Sequence, residues 1–359
     1  MSLSTDRAVG VWLLVCCFLV FAMVVLGGVT RLTGSGLSMV RWAPLSGAIP
    51  PITDAAWKAE FSHYQQSPEF QKVNYQMTVT EFKTIFYVEY FHRLLGRAIG
   101  LVFLIPFLVF LWRGRIRRAL IPKLSLMFVL GGLQGLLGWY MVKSGLVDVP
   151  RVSPYRLTAH LIVAVAIYAY LFWTALGLLS ERPRHSTVSP LSRGAIGITA
   201  MIVVTIVSGG FVAGLKAGHA FNTFPLMGGQ WIPSGYWVAE PFWRNLFETI
   251  PAVQFNHRWL AITTFVLVLL FALRAWRDDA LRMYRAAVGV LAMLALIQVS
   301  LGISTLVLHV PVVLAAAHQG AALALLTAAL YLAFITRHLA GAGASVAGGP
   351  HVNRPGSAG

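Results

Sequence analysis

Glu89-Tyr90-Phe91-His92-Arg93-Leu94 opens one long apolar run, and Gln254-Phe255-Asn256-His257-Arg258-Trp259 opens another at an offset of 165 residues, from 92 to 257. The same histidine-arginine pair at the head of two apolar runs points to a chain built twice. The two phrases differ most where one has a carboxylate, Glu89, and the other an amide, Gln254.

Working outward, 57% of the 359 residues are hydrophobic and only 11% charged, with a mean hydropathy of +0.72. No soluble core could hide that much apolar surface, so the chain reads as a polytopic membrane protein. A membrane helix needs roughly 20 apolar residues to cross about 30 Å of hydrocarbon. Eight stretches qualify: residues 11–29, 91–112, 121–142, 156–178, 194–215, 254–274, 284–308 and 311–336. The last two leave only His309 to Pro311 between them, which requires a tight helical hairpin. The expected fold class is all-α, with eight transmembrane helices arranged as two four-helix bundles.

Lys and Arg left beside apolar spans mark the cytoplasmic loops. Arg113, Arg115, Arg117 and Arg118 fill the second connection, Arg182, Arg184 and Arg193 the fourth, and Arg274, Arg277, Arg282 and Arg285 the sixth. Those connections, and with them both termini, are expected in the cytoplasm. The net charge of +16 is therefore assigned to anionic membrane lipid rather than to nucleic acid. The two long connections on the other side, about residues 30–88 and 216–252, are rich in Trp, Tyr, Pro and Gly, and loops of that length are usually functional. Cys16 and Cys17, the only cysteines, are neighbours in the first span and point about 100° apart, which excludes a disulfide between them. No small-residue cleavage site follows the first apolar run, so that span is expected to be retained. The tail from Gly341, mostly Gly, Ala, Ser and Pro, reads as disordered.

The repeat extends beyond the histidine phrases. Gly27-Gly28, followed by the stretch Leu45 to Pro50, resembles Gly209-Gly210 followed by Met227 to Pro233. Gln134 to Gly138 matches Gln298 to Gly302 at an offset of 164, from 134 to 298, and Thr158-Ala159-His160 matches Ala316-Ala317-His318 at 158, from 160 to 318. Each half crosses four times, an even number, so the halves share one orientation and are expected to be related by a pseudo-twofold along the membrane normal. The division is 1–178 for the N-terminal half, 179–193 for a linker, 194–338 for the C-terminal half and 339–359 for the tail.

His92, His160, His257 and His318 each lie shortly after a helix start on the long-loop side. Pro154, Pro251 and Pro311 precede the last three by six or seven residues, and proline favours the first helical turn. At about 1.5 Å per residue those three imidazoles lie roughly 10 Å below their helix starts, and His92, on a helix expected to begin in the loop near Phe82, can reach the same layer. Ionisable side chains inside a membrane are functional candidates with named partners. Two neutral imidazoles from facing helices supply the axial ligands of a haem iron, while apolar walls hold the macrocycle. Arg93 and Arg258 would then pair with haem propionates. An interhelical hydrogen bond is the bland reading of any one histidine, and zinc lacks the accompanying cysteines or carboxylates its sites use. Glu89 lies on the helix face of His92, three residues before it, and at i,i+4 from Arg93. Because Arg258 keeps its place without an acid, the carboxylate reads as chemistry confined to the N-terminal site.

Glu89 to Arg93, Arg156-Leu157-Thr158-Ala159-His160, Phe255 to Trp259, Ala316 to Gln319 and the stretch Gly28-Val29-Thr30-Arg31-Leu32-Thr33-Gly34-Ser35-Gly36-Leu37 together resemble the haem A synthase family over about residues 8–337. The resemblance implies oxidation of the C8 methyl of haem O to a formyl group, giving haem A for cytochrome c oxidase. It implies His257 and His318 as ligands of a haem b, and His92, His160 and Glu89 as the substrate site. It also implies a bacterial inner-membrane setting with the haem sites toward the periplasm. The partners implied are the haem O synthase, oxidase assembly factors and an electron carrier, and homo-oligomerisation is left open. Some members carry a cysteine pair in the first outer loop; this chain has none between Gly28 and Glu89 and resembles the type without it. Two other classes compete: a dihaem b electron-transfer subunit, which predicts two identical haems and no role for Glu89, and a haem transporter, which predicts broken helices at the site.

Overall fold

The computed structural model describes residues 3–41, 46–180 and 189–339, and these are mostly helical, with two long connections, one between the first and second spans and one between the fifth and sixth. Leu45, Arg182, Arg184 and the tail lie outside the described residues. Eleven α-helices occur among them: α1 Leu3–Leu32, α2 Asp54–Gln65, α3 Pro68–Lys72, α4 Val79–Trp112, α5 Ile121–Lys143, α6 Pro154–Leu179, α7 Pro190–Gly214, α8 Asn245–Glu248, α9 Ile250–Arg277, α10 Arg285–Val307 and α11 Val312–Leu339. Eight of them, all but α2, α3 and α8, are long and apolar enough to cross a membrane. Every expected span is present, and a helix is the form that satisfies its own backbone in lipid.

The second span runs longer than its apolar stretch: α4 begins at Val79, close to the start expected near Phe82. Thr78 and Glu81 form a reciprocal cap, with the Glu81 carboxylate accepting the Thr78 N–H at 2.8 Å, an arrangement worth about 1 kcal/mol. The added turns carry Phe82 and Phe86, which pack on Trp57, Phe61 and Tyr64 of α2. That stretch is more polar than the rest of the span, and its buried side chains Phe82 and Phe86 are covered by α2. Pro106 sits inside the same helix and cannot donate to the Val102 carbonyl. Trp12 of α1 donates its indole N–H to that carbonyl at 2.9 Å, so the lost bond is replaced from a neighbouring helix.

Packing divides the spans into two rings. In the first, α1 touches α4 and α6, and α5 touches the same two; in the second, α7 touches α9 and α11, and α10 touches the same two. The rings meet through α1 on α11, α6 on α7 and α6 on α11. Exchanging the halves leaves this pattern unchanged. Their interface includes the Tyr168 to Thr327 hydroxyl contact at 2.7 Å and Trp173 edge-on to Phe334. The hairpin between α10 and α11 is as tight as the sequence requires, with His309 and Val310 both in the left-handed region at φ 63 and 62.

Candidate functional site

Each ring carries its two histidines on diagonal helices, His92 on α4 opposite His160 on α6, and His257 on α9 opposite His318 on α11. All four are half-buried. Among the described residues no three or more His, Cys, Asp or Glu are grouped so as to hold a metal ion.

Four glycines make room for the four imidazoles. A Cβ on Gly27 of α1 would lie 3.2 Å from His92 Nε2, and one on Gly138 of α5 would lie 3.0 Å from His160 Cε1. In the other ring, a Cβ on Gly209 of α7 would come within 3.2 Å of His257 Cε1, and one on Gly302 of α10 within 2.9 Å of His318 Cε1. Each imidazole packs against the neighbouring helix of its own half. These glycines were visible as repeat markers, but their contact with the histidines was not.

The two long connections are tied to α4 and α9 differently. Glu89 is buried, and both its oxygens are taken: Oε2 accepts the Ser38 hydroxyl at 2.7 Å and the Met39 N–H at 2.8 Å, and Oε1 accepts Arg93 Nε at 3.0 Å and Nη2 at 2.5 Å. The Arg93 ion pair that comparison with Gln254 had counted against is therefore present. Gln254, also buried, donates to the Phe221 carbonyl at 3.1 Å and leaves its Oε1 without a hydrogen-bond partner among the described residues.

Both arginines have work other than the propionate pairing expected of them. Arg93 Nη2 donates to the Met39 carbonyl at 2.8 Å, and Nη1 reaches the Arg41 carbonyl at 3.4 Å. Arg258 donates to the carbonyls of Phe221 at 2.6 Å, Thr223 at 2.7 Å and Leu226 at 3.4 Å. The guanidinium after each histidine thus clamps the outer connection of its own half onto the helix. Of these donors only Arg258 Nε is buried without a partner. Toward a haem the fit lies elsewhere: in the diagonal histidines, the glycine recesses and His160 Nδ1, which is buried with no hydrogen-bond partner.

The remaining histidines stand apart. His63 meets Arg41 at 3.3 Å on the surface, and His338 Nδ1 contacts the Phe334 carbonyl at 2.7 Å on the far side of the bundle. His219 lies in a 3-10 turn and His309 in the α10–α11 hairpin.

Fold and site together define a multi-span membrane protein with two diagonal histidine pairs under separate outer loops. Residues 10–330 match the model of the cytochrome oxidase assembly protein family, COX15-CtaA, and the chain belongs to that family. It is 52% identical to the heme A synthase of Nitrosospira multiformis over 92% of this chain and 93% of that protein. It is 50% identical to the heme A synthase of Paramagnetospirillum magneticum over 91% and 93%. Similarity reaches the human heme A synthase COX15, at 46% identity over 92% of this chain and 83% of the human one.

Proposed function

We propose that this protein is a haem A synthase, oxidising the C8 methyl of haem O to a formyl group within the N-terminal half. The observation that carries the proposal is the unequal pair of sites: matched diagonal histidines in both rings, with a buried carboxylate over only one. The named relatives are synthases along nearly their whole length, which favours this reading over a dihaem electron-transfer subunit.

In this reading His92 and His160 hold the substrate haem from opposite corners of the first ring. Written with water as the oxygen source, taking a methyl to an aldehyde breaks two C–H bonds, forms a C=O bond and releases four protons, with four electrons passing to an external electron acceptor. Positive charge develops at the methyl carbon as the electrons leave. All four contacts of Glu89 come from donors, so its carboxylate is an acceptor fixed in place. A fixed negative group on the helix face of His92 stabilises such charge without reorganising. Ser38 and Met39 hold it there and close the site from outside. His257 and His318 would hold a haem b, which supplies one-electron transfer when bound. The glycine recesses let their rings face the diagonal, and Arg258 keeps the second loop over them.

The long loops then lie on the periplasmic side of the bacterial inner membrane and both termini in the cytoplasm. The arginines at 113–118, at 193 and at 274–285 support that orientation. Pigment extracted from the purified protein tests the function. Haem O or haem A beside haem B is expected, and haem B alone would overturn the proposal.

A further inference from the structure

Ser208 sits one residue before Gly209 on α7, and its hydroxyl has two close neighbours. The Thr205 carbonyl lies at 2.8 Å and His257 Nδ1 at 2.7 Å. A carbonyl only accepts, so the single hydroxyl proton goes to Thr205 and Oγ is left to accept from Nδ1–H. His257 Nε2 then keeps its lone pair. His318 reaches the same state by another route, since its Nδ1 faces the Gln298 carbonyl at 3.2 Å, which again can only accept. The Gln298 side-chain amide approaches His318 Nε2 at 3.4 Å as a donor, as that tautomer requires.

The first ring lacks this arrangement. His160 Nδ1 is buried without a hydrogen-bond partner. At the repeat offset of 182, from Gly27 to Gly209, Ser208 corresponds to Leu26 and Thr205 to Met23. Thr264, which meets Thr205 hydroxyl to hydroxyl at 2.7 Å, corresponds to Ile99 at the offset of 165. At the positions that the repeat sets against Ser208, Thr205 and Thr264, the N-terminal half thus carries apolar side chains.

We propose that Ser208 is a positioning residue that makes the C-terminal site retentive, and that Leu26 leaves the N-terminal site exchangeable. By accepting Nδ1–H, Ser208 fixes the tautomer and orientation of His257 and makes Nε2 a stronger donor to a haem iron, favouring the ferric form. A permanent cofactor needs such an anchor, whereas a haem that arrives as substrate and leaves as product is served by ligands without one. The proposal rests on the reading that His257 and His318 hold haem b.

The experiment uses the full-length protein in detergent, with haem B added as the probe. It compares the parent with Ser208→Ala, Ser208→Thr, Leu26→Ser and His257→Ala. Redox titration gives the midpoint potential, and transfer to a haem-scavenging protein gives the dissociation rate. Ser208→Ala is expected to weaken ferric over ferrous binding about tenfold, the low end for loss of such a partner, raising the midpoint by about 59 mV. Haem loss should speed up by a similar factor. Ser208→Thr should restore both values, and Leu26→Ser should slow haem exchange in the N-terminal half. A Ser208→Ala protein with the parental potential and dissociation rate, where His257→Ala abolishes the bound haem B, overturns the role of Ser208 alone. Threonine behaving like alanine does the same. Full retention of haem B by His257→Ala instead overturns the ligand assignment beneath it.

Discussion

In the N-terminal half the connection after α1 is held to α4 through a carboxylate, with Ser38, Met39 and Arg93 all donating to Glu89. In the C-terminal half the connection after α7 is held to α9 by neutral groups and a lone guanidinium, with Gln254 and Arg258 both donating to the Phe221 carbonyl. What the repeat keeps, the histidine, the arginine after it and the glycine facing the ring, builds two similar pockets. In the proposed reading, what it changes, Glu89 for Gln254 and Leu26 for Ser208, separates their tasks.

The comparison breaks most completely at the histidines. Replacing His92 or His160 by alanine should abolish conversion of haem O while haem B stays at the parental stoichiometry. Replacing His257 or His318 should remove haem B and stop conversion with it. Pigment extraction and mass identification read both outcomes, and loss of haem B from a His92→Ala protein would mean that the pairs are not independent.

A smaller but sharper effect is expected from the carboxylate. Glu89→Gln copies the C-terminal arrangement into the N-terminal site and should slow conversion by about 10² or more, the range for a positioned catalytic group. Its reduced haem B spectrum should match the parent. The converse Gln254→Glu should not make the second site reactive. A parental rate in Glu89→Gln would leave the carboxylate with only its loop-holding role.

Much of this was legible in the residues, because lipid leaves few choices. Apolar length marks the eight spans, and the drifting repeat offsets pair His92 with His257 and His160 with His318. The clamp role of Arg93 and Arg258 was hidden, since their acceptors are backbone carbonyls up to 54 residues away that any sequence would supply. The start of α4 ahead of its apolar stretch was legible, expected near Phe82 and found at Val79. Ser208 looks like any membrane-helix serine until the repeat sets Leu26 opposite it.

The glycine recesses test whether the pockets answer separately. Gly138→Ala puts a methyl 3.0 Å from His160 Cε1, and Gly302→Ala puts one 2.9 Å from His318 Cε1. Each must push its ring by a few tenths of an ångström, and misplacement of that order is expected to cost on the order of tenfold. The first change should appear in the conversion rate with haem B unaltered, and the second in haem B retention. Equal effects of both on both readouts would show one coupled site rather than two.

The smallest expected difference lies in how the two outer connections respond to pH. Glu69 of α3 is buried under Tyr64, whose hydroxyl lies 3.2 Å away and is met in turn by Asn74 at 2.8 Å. Burial pushes its carboxyl up to about 7; the Tyr64 hydrogen bond and Lys216 oppose the shift, and the charge of Glu89 adds to it. A carboxyl raised in the folded state contributes stability that is complete below its unfolded value of about 4.5 and lost as pH rises through about 7. The second connection has no such group among those described. Its exposed Glu248 is shifted the other way by Arg244 and then Tyr155, so its contribution is present above about 4.5 and lost only in more acidic solution. Thermal unfolding of the purified protein should therefore show a modest fall in midpoint between about pH 5 and about pH 8, removed by Glu69→Gln and untouched by Glu248→Gln. Protease cleavage confined to residues 33–78 and rising over the same interval would assign the change to the first connection. Cleavage rising equally in residues 215–249 would mean that the two loops are held by a common contact rather than each by its own helix.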